Sequence, residues 1–230
     1  MKKKLVILSG AGVSAESGVQ TFRGGNGLWD GHKVEDVASP RGWNMNQQLV
    51  LDFYNKRRSE LLTVEPNDAH MIIAELEKDF DVQIITQNVD DLHERAGSTN
   101  VLHLHGELLK ARSTVKEDYV IDWFGDMTED DIDDEGDQLR PHIVWFGEDV
   151  PMMNTAIRTI KTADIVIIIG TSMQVYPAAN LVFHTHAPDI YYVDPDPAKV
   201  DDIELNYIKA SATKGMKKLK KLLMKNRVND

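Results

Sequence analysis

The chain has 230 residues and a formal net charge of −11, long enough for one large domain or for a domain with a smaller insert. Its acidity argues against nucleic acid as the main partner. It contains no cysteine, which excludes disulfides, a thiol nucleophile and a zinc site built on thiolates.

From the N-terminus, the first expected strand is Lys4–Ser9, behind Met-Lys-Lys-Lys. Its apolar run is too short for the core of a signal peptide, and no stretch approaches a membrane span, so a cytoplasmic protein with no membrane partner is expected. The strand breaks into Gly10-Ala-Gly-Val-Ser-Ala-Glu-Ser-Gly18, where Gly10, Gly12 and Ala15 fit the G-x-G-x-x-[GA] dinucleotide fingerprint. Small residues there let the backbone approach a diphosphate, and the first N–H groups of a following helix point at the anion. Tight strand-to-helix turns use glycine for geometric reasons too. Next comes the polar loop Thr21-Phe-Arg-Gly-Gly-Asn-Gly-Leu-Trp29, where a dehydrogenase would continue into a helix and a second strand.

Helical patterns then lie at about 47–63, 67–79, 90–96, 152–161, 178–183 and 214–225, and further strands at 82–86, 101–105, 142–145, 165–169 and 190–193. Continuously apolar runs such as Asp164-Ile-Val-Ile-Ile-Ile-Gly170 indicate strands covered on both faces. The pattern predicts an α/β fold: a Rossmann-like, doubly wound parallel sheet with ligand sites at its strand ends. The expected Rossmann domain comprises residues 1–30, 80–106 and 140–230; insertions 31–79 and 107–139 form a smaller domain. Residues 113–138 hold eleven Asp or Glu against Lys116, and read as a solvated surface excursion. Asp131, Asp133, Glu135 and Gly136 open like a calcium loop, but the twelfth position is His142 and no helix pair frames it.

Several strand ends carry polar chemistry. Gln87, Asn88 and Asp90 follow a buried strand, where amides can hold ribose hydroxyls or a carboxamide and Asp90 can equally be a helix N-cap. Gly170-Thr-Ser172 suits a phosphate or ribose contact, and Asp194 at the end of the last strand can take both hydroxyls of a ribose. In Leu102-His-Leu-His-Gly106, alternation puts His103 and His105 on one face. A metal pair is one reading, without defined further ligands. The better one makes His105 a general base and His103 structural, since imidazole titrates near neutral pH.

Together these residues resemble the sirtuin family of NAD-dependent protein lysine deacylases. The elements GAGVSAESG, TFRG with GLW, TQNVDDLHERAG, LHLHGEL, LRPHIVWFGE and GTSMQVYPAA occur in the family's order, with Ala212-Thr-Lys-Gly similar to its adenine-side segment. The resemblance implies NAD as cofactor, with Gly10, Ala11, Gly12, Ser14 and Ala15 at its diphosphate and Phe22 and Arg23 over the nicotinamide ribose. It implies that Gln87, Asn88 and Asp90 bind ribose and carboxamide and promote departure of nicotinamide. The acyl oxygen of the modified lysine then attacks C1′ to give an alkylimidate. His105 becomes the base for the ribose 2′-hydroxyl, directly or through the 3′-hydroxyl, and the products are free lysine, nicotinamide and 2′-O-acyl-ADP-ribose. Gly170, Thr171, Ser172, Val175, Asp194 and Ala212 fall on the adenosine side, although the family more often has Asn where Asp194 stands. Val144, Trp145, Phe146 and Gly147, with the 174–176 segment, would sandwich an acyl-lysine peptide as an added strand. A monomer is expected. Transfer of ADP-ribose to another nucleophile, or NAD hydrolysis, is the alternative on the same fold, and a binding module without turnover a third.

Two departures refine the resemblance. The family's small domain is usually held by zinc on two Cys-x-x-Cys pairs; here the first reads Arg112-Ser-Thr-Val-Lys116, so no metal is expected and packing must hold the domain. Tyr54 and Arg57 are three apart on one face of an expected helix and can make a seat for a carboxylate. With Ala38 leaving room, this is the pattern of the sirtuin branch that removes succinyl, malonyl and glutaryl groups. A packed tyrosine and a solvated arginine are the plainer alternative.

Overall fold

The computed structural model describes residues 2–21, 28–29 and 31–229. In chain order the elements begin with β1 (Lys4–Ser9), β2 (Leu28–Trp29), β3 (His32–Lys33), α1 (Val34–Val37), α2 (Pro40–Met45), α3 (Gln47–Leu61) and α4 (Asp68–Leu76). They continue with β4 (Asp81–Thr86), α5 (Leu92–Arg95), β5 (Val101–His103), β6 (Gly106–Ser113), β7 (Val120–Asp122), β8 (Leu139–Ile143) and α6 (Met153–Ile160). The last are β9 (Ile165–Ile169), β10 (Asp189–Asp194), β11 (Asn206–Lys209) and α7 (Ala212–Asn229).

Six strands form a parallel sheet in the order β11-β10-β9-β1-β4-β5. The chain builds outward from β1 in one direction, returns, and builds outward in the other, so the strand order reverses between β1 and β9. Strand β9 is apolar throughout, and β1 from Leu5 to Leu8, because both of their faces are buried. Leu5, Ile7, Ile84, Ile167 and Ile169 pack under α4 and α7. Val6, Leu8, Ile85, Val166 and Ile168 pack under α6 and the 3-10 turns of Ala178–His184. Alternate residues of one strand therefore serve two cores.

The segment after β1 differs from expectation. It makes two 3-10 turns, Ala11–Val13 and Ala15–Ser17, ended by Gly18 at φ +97°, and among the described residues the first α-helix begins only at Val34. Its glycines answer to packing: a Cβ on Gly12 would lie 2.7 Å from Gly170, and one on Gly10 2.7 Å from the Thr171 side chain. The loop lies directly on the end of β9.

The strand expected at 142–145 is also different. It is β8, and it pairs antiparallel with β6 in a separate three-stranded sheet, β7-β6-β8, outside the parallel one. The strand expected at 101–105 ends at His103, and β6 starts at Gly106, whose φ of +83° turns the backbone where a Cβ would lie 2.0 Å from the His142 carbonyl. The acidic stretch is more than a solvated excursion. Met127 and Leu139 are buried with Ala111 and Leu51, and Tyr119, Ile121 and Trp123 pack around them. Helix α3 anchors this module: the Asn55 side chain accepts from the Met127 N–H and donates to its carbonyl, both at 2.8 Å. Arg58, fully buried, donates to the Leu108 and Gly125 carbonyls and to Asn55 Oδ1.

Candidate active site

A cavity of about 540 Å³ opens along the C-terminal ends of β1, β4, β9 and β10. This is the switch point of the sheet, where strand order reverses and ligands of doubly wound folds bind. Gly10, Ala11, Gly12, Gln87, Asn88, Asp90, His105, Gly170, Thr171, Ser172, Val175 and Asp194 line one part of it. Ala38, Tyr54, Arg57, Val144, Trp145, Phe146 and Gly147 line the other. Ser14 lies beneath the cavity, while Ala15 and Ala212 are off its walls. Phe22 and Arg23 lie outside the described residues.

The floor is a buried polar network. Ser14 Oγ donates to Asp90 Oδ2 at 2.9 Å and accepts from Asn88 Nδ2 at 3.1 Å. His70 Nδ1 accepts the Asn67 N–H, so its Nε2–H faces Ser14 Oγ at 3.4 Å; burial brings the His70 pKa down to about 4 and keeps the ring neutral. Asp90 is almost wholly buried, which raises its pKa to about 6 against the lowering effects of Ser14 and the Leu92 N–H. Its Oδ1 accepts that N–H at 3.2 Å from one residue ahead of the helix N-cap, which is Asp91 and not Asp90. Asn88 Oδ1 is buried without a hydrogen-bond partner. A buried acceptor left open in a cavity wall is costly unless a ligand donor meets it.

His105 follows β5. Its Nδ1 lies 3.1 Å from the Gln87 carbonyl, which can only accept, so Nδ1 carries the proton and Nε2 holds a lone pair. Burial lowers its pKa, although the Gln87 bond opposes this, and the ring is neutral at pH 7. His103 has a different environment. Burial alone would lower its pKa, but the Glu94 carboxylate at 2.8 Å and the Asn88 carbonyl at 2.9 Å together raise it. It clamps the 88–94 segment and does not line the cavity.

At the other end, Tyr54 is fully buried on α3. Trp145 Nε1–H donates to its hydroxyl at 3.1 Å. The Arg57 guanidinium lies over the Trp29 and Phe53 rings at 4.3 and 4.6 Å, most of it out of water. Of the plainer expectation, the packed tyrosine is observed and the solvated arginine is not. Two residues with clear roles here were not assigned from the sequence. Glu148 accepts from both Arg140 and Arg112 and from the Trp145 N–H, and Arg140 lies 3.3 Å from the Trp145 ring centroid. Glu148 closes the LRPHIVWFGE motif, in which Arg140 stands second, and the opposite charges near its two ends were the available signal, whereas Arg112 lies 36 residues away.

The parallel sheet, its reversal at β1 and β9, and a cleft with a buried amide, a carboxylate and a neutral histidine define a Rossmann-like protein of the dinucleotide-binding class. A family model described as the Sir2 family matches residues 10–177, and the chain belongs to that family. An NAD-dependent protein deacylase of Helicobacter pylori is 59% identical over 194 residues, covering 84% of this chain and 85% of its own. One from Bacteroides thetaiotaomicron is 47% identical over 230 residues, covering 96% and 98%. A solved Sir2 homologue in complex with NAD superposes with a TM-score of 0.87 at 38% identity, covering 98% of this chain and 91% of its own. A Sir2 protein bound to acetylated peptide gives 0.78 at 27% identity, covering 96% and 93%.

The residues present fit NAD, since the open Asn88 acceptor and the glycine-lined wall suit a ribose or carboxamide and a diphosphate. They do not fit the zinc usual in the family. The chain has no cysteine, and the described residues contain no group of three His, Asp or Glu able to hold a metal. Where the first cysteine pair would stand, Ser113 Oγ accepts the Val115 and Lys116 N–H groups, and Lys116 pairs with Asp134 and Glu135. The supposed calcium loop is likewise closed on itself, since Asp133 Oδ1 accepts the Glu135 and Asp137 N–H groups.

Proposed function

We infer that this chain is an NAD-dependent protein lysine deacylase that prefers acidic acyl groups, succinyl and malonyl, over acetyl. Family membership supports the reaction. The arrangement of Tyr54 and Arg57 in the same cavity as His105 supports the preference.

Bound NAD supplies an ADP-ribosyl carbon that becomes electrophilic as nicotinamide leaves. Asn88 and Asp90, braced by Ser14, would orient its ribose and carboxamide. Neutral His105 offers Nε2 to take a proton from a ribose hydroxyl, and its Nδ1–H, tied to Gln87, fixes the tautomer. The exposed Phe146 and Tyr176 flank the cavity and suit a peptide backbone that brings an acyl-lysine between them.

At the acyl end, Trp145 uses the acceptor side of the Tyr54 hydroxyl. The tyrosine proton is then directed to an incoming acceptor, and Arg57 adds a positive charge beside it. A terminal carboxylate meets both; a methyl group meets neither. Ala38 keeps that end open.

The test is mass spectrometry of one peptide carrying acetyl- or succinyl-lysine, incubated with NAD and wild-type enzyme, Tyr54→Phe or His105→Ala. Succinyl should leave faster than acetyl, with succinyl-ADP-ribose appearing. Losing a hydrogen bond to a charged group should slow desuccinylation in Tyr54→Phe about tenfold or more, with deacetylation little changed. His105→Ala should be inactive on both peptides. Equal rates on the two peptides would refute the acidic preference, and NAD consumption without acyl transfer would move the reaction to ADP-ribosyl transfer or NAD hydrolysis.

A further inference from the structure

We propose that Glu16 is a positioning residue for the NAD site, locking the Gly10–Gly18 loop to the N-terminus of α7 and thereby holding the surface that the loop offers a diphosphate. The inference rests on the reading of that loop as the diphosphate seat.

The loop has little internal support. It consists of two short 3-10 turns, whose hydrogen bonds are poorer than those of an α-helix. What holds it comes from outside. The Glu16 carboxylate accepts from Thr213 Oγ1 at 2.7 Å, from the Thr213 N–H at 2.9 Å and from Ser211 Oγ at 3.1 Å. Helix α7 has no acidic residue in its own first turn, so a carboxylate 195 residues away in sequence caps its positive end. Burial works against the charged carboxylate, but the Thr213 and Ser211 bonds outweigh it and hold its pKa low.

The opposite flank is tied as well. Asn67, the N-cap of α4, donates through Nδ2 to the Val13 carbonyl at 2.8 Å and to Ser17 Oγ at 3.0 Å. Lys217 and Lys220 of α7 pair with Asp68 and Glu75 of α4, so both helices and the loop form one frame. Glu16 is the one link from loop to α7 in this frame that uses a full charge, and it reaches that helix without entering the cavity lining.

The experiment compares wild-type, Glu16→Ala and Glu16→Gln protein in three measurements: calorimetric binding of ADP-ribose, amide hydrogen exchange of the unliganded protein, and steady-state kinetics. Glu16→Ala should bind ADP-ribose about five- to tenfold more weakly, as expected for loss of a helix cap transmitted to the loop. The KM for NAD should rise in step, with kcat and peptide KM within about twofold. Exchange should accelerate at 10–18 and at the start of α7. Glu16→Gln keeps one acceptor and should recover part of the affinity, and adding Thr213→Val to Glu16→Ala should cost little more, because the two act as one link. Unchanged ADP-ribose affinity in Glu16→Ala would overturn the proposal. So would a parallel loss in ADP-ribose affinity, peptide KM, kcat and melting temperature, which marks an ordinary folding residue. Failure of the wild-type protein to bind ADP-ribose would instead remove the underlying reading of the loop, and the proposal with it.

Discussion

Asp90 is held against its own preference. Burial raises its pKa from 3.8 to about 6, so the folded protein favours the protonated acid. Stability from this group is fully present below about pH 4 and is lost as pH rises through 6. At pH 7 the ionised form costs the fold about 3 kcal/mol. Asp90→Asn keeps the acceptor for the Leu92 N–H and removes the buried charge, though it deprives Ser14 of its acceptor. Urea unfolding should show the variant more stable by about 2 kcal/mol at pH 8, with the gain shrinking toward pH 4. A gain independent of pH would contradict the account. Deacylation should fall sharply, since the carboxylate that costs stability is the one expected to orient the ribose.

At the scale of elements, α3 serves the cavity and the acidic module at once. Its cavity-facing side presents Tyr54 and Arg57, and its neighbouring side holds the acidic module through Asn55 and Arg58. Burial lowers the Arg58 pKa to about 10, and three acceptors surround the guanidinium to keep it charged. Asn55→Ala leaves the Met127 N–H and carbonyl unpaired and deprives Arg58 of one acceptor. It should destabilise the protein by about 2–4 kcal/mol, read as a lower urea midpoint. A chelator should leave the melting temperature of the wild-type protein unchanged. These links could not be read from the chain, because Asn55 and Met127 are 72 residues apart and nothing local marks them as partners. The helix itself was legible from its apolar spacing, and its observed end at Leu61 lies close to the expected one.

Across the whole molecule, the close approach of Gly12 and Gly170 joins the loop after β1 to the end of β9 at the switch point. Gly170 sits at φ +62°, and a Cβ on it would lie 2.2 Å from the Val13 nitrogen. Gly170→Ala combines left-handed strain with a backbone clash and should cost about 3 kcal/mol or more. Thermal melting would show the loss, and a neutral substitution would mean that the loop can lift away from β9. The parallel sheet was legible because covering both faces demands unbroken apolar strands, as in β1 and β9. Strand β11 was not, since only Ile208 of its four residues is buried and an edge strand needs no apolar run. Strand β8 was legible as a strand but not as a member of the small sheet, because an apolar run carries no information about which neighbour it pairs with.

By itself the sequence determined the chemistry available: the glycine-rich turn, the amides and carboxylate after β4, the histidine after β5, and the tyrosine and arginine one helical turn apart. It also determined the parallel sheet, because hydrophobic periodicity is local and survives translation into strands. The tertiary structure alone decided which lone pair His105 presents, that Asp90 accepts the Leu92 N–H and loses its water, that Trp145 donates to the Tyr54 hydroxyl, and that Glu16 caps a helix far along the chain. Each depends on burial or on a partner distant in sequence. Hydrogen-bond direction, desolvation and long-range contact are properties of assembled neighbours, and a linear order of residues does not contain them.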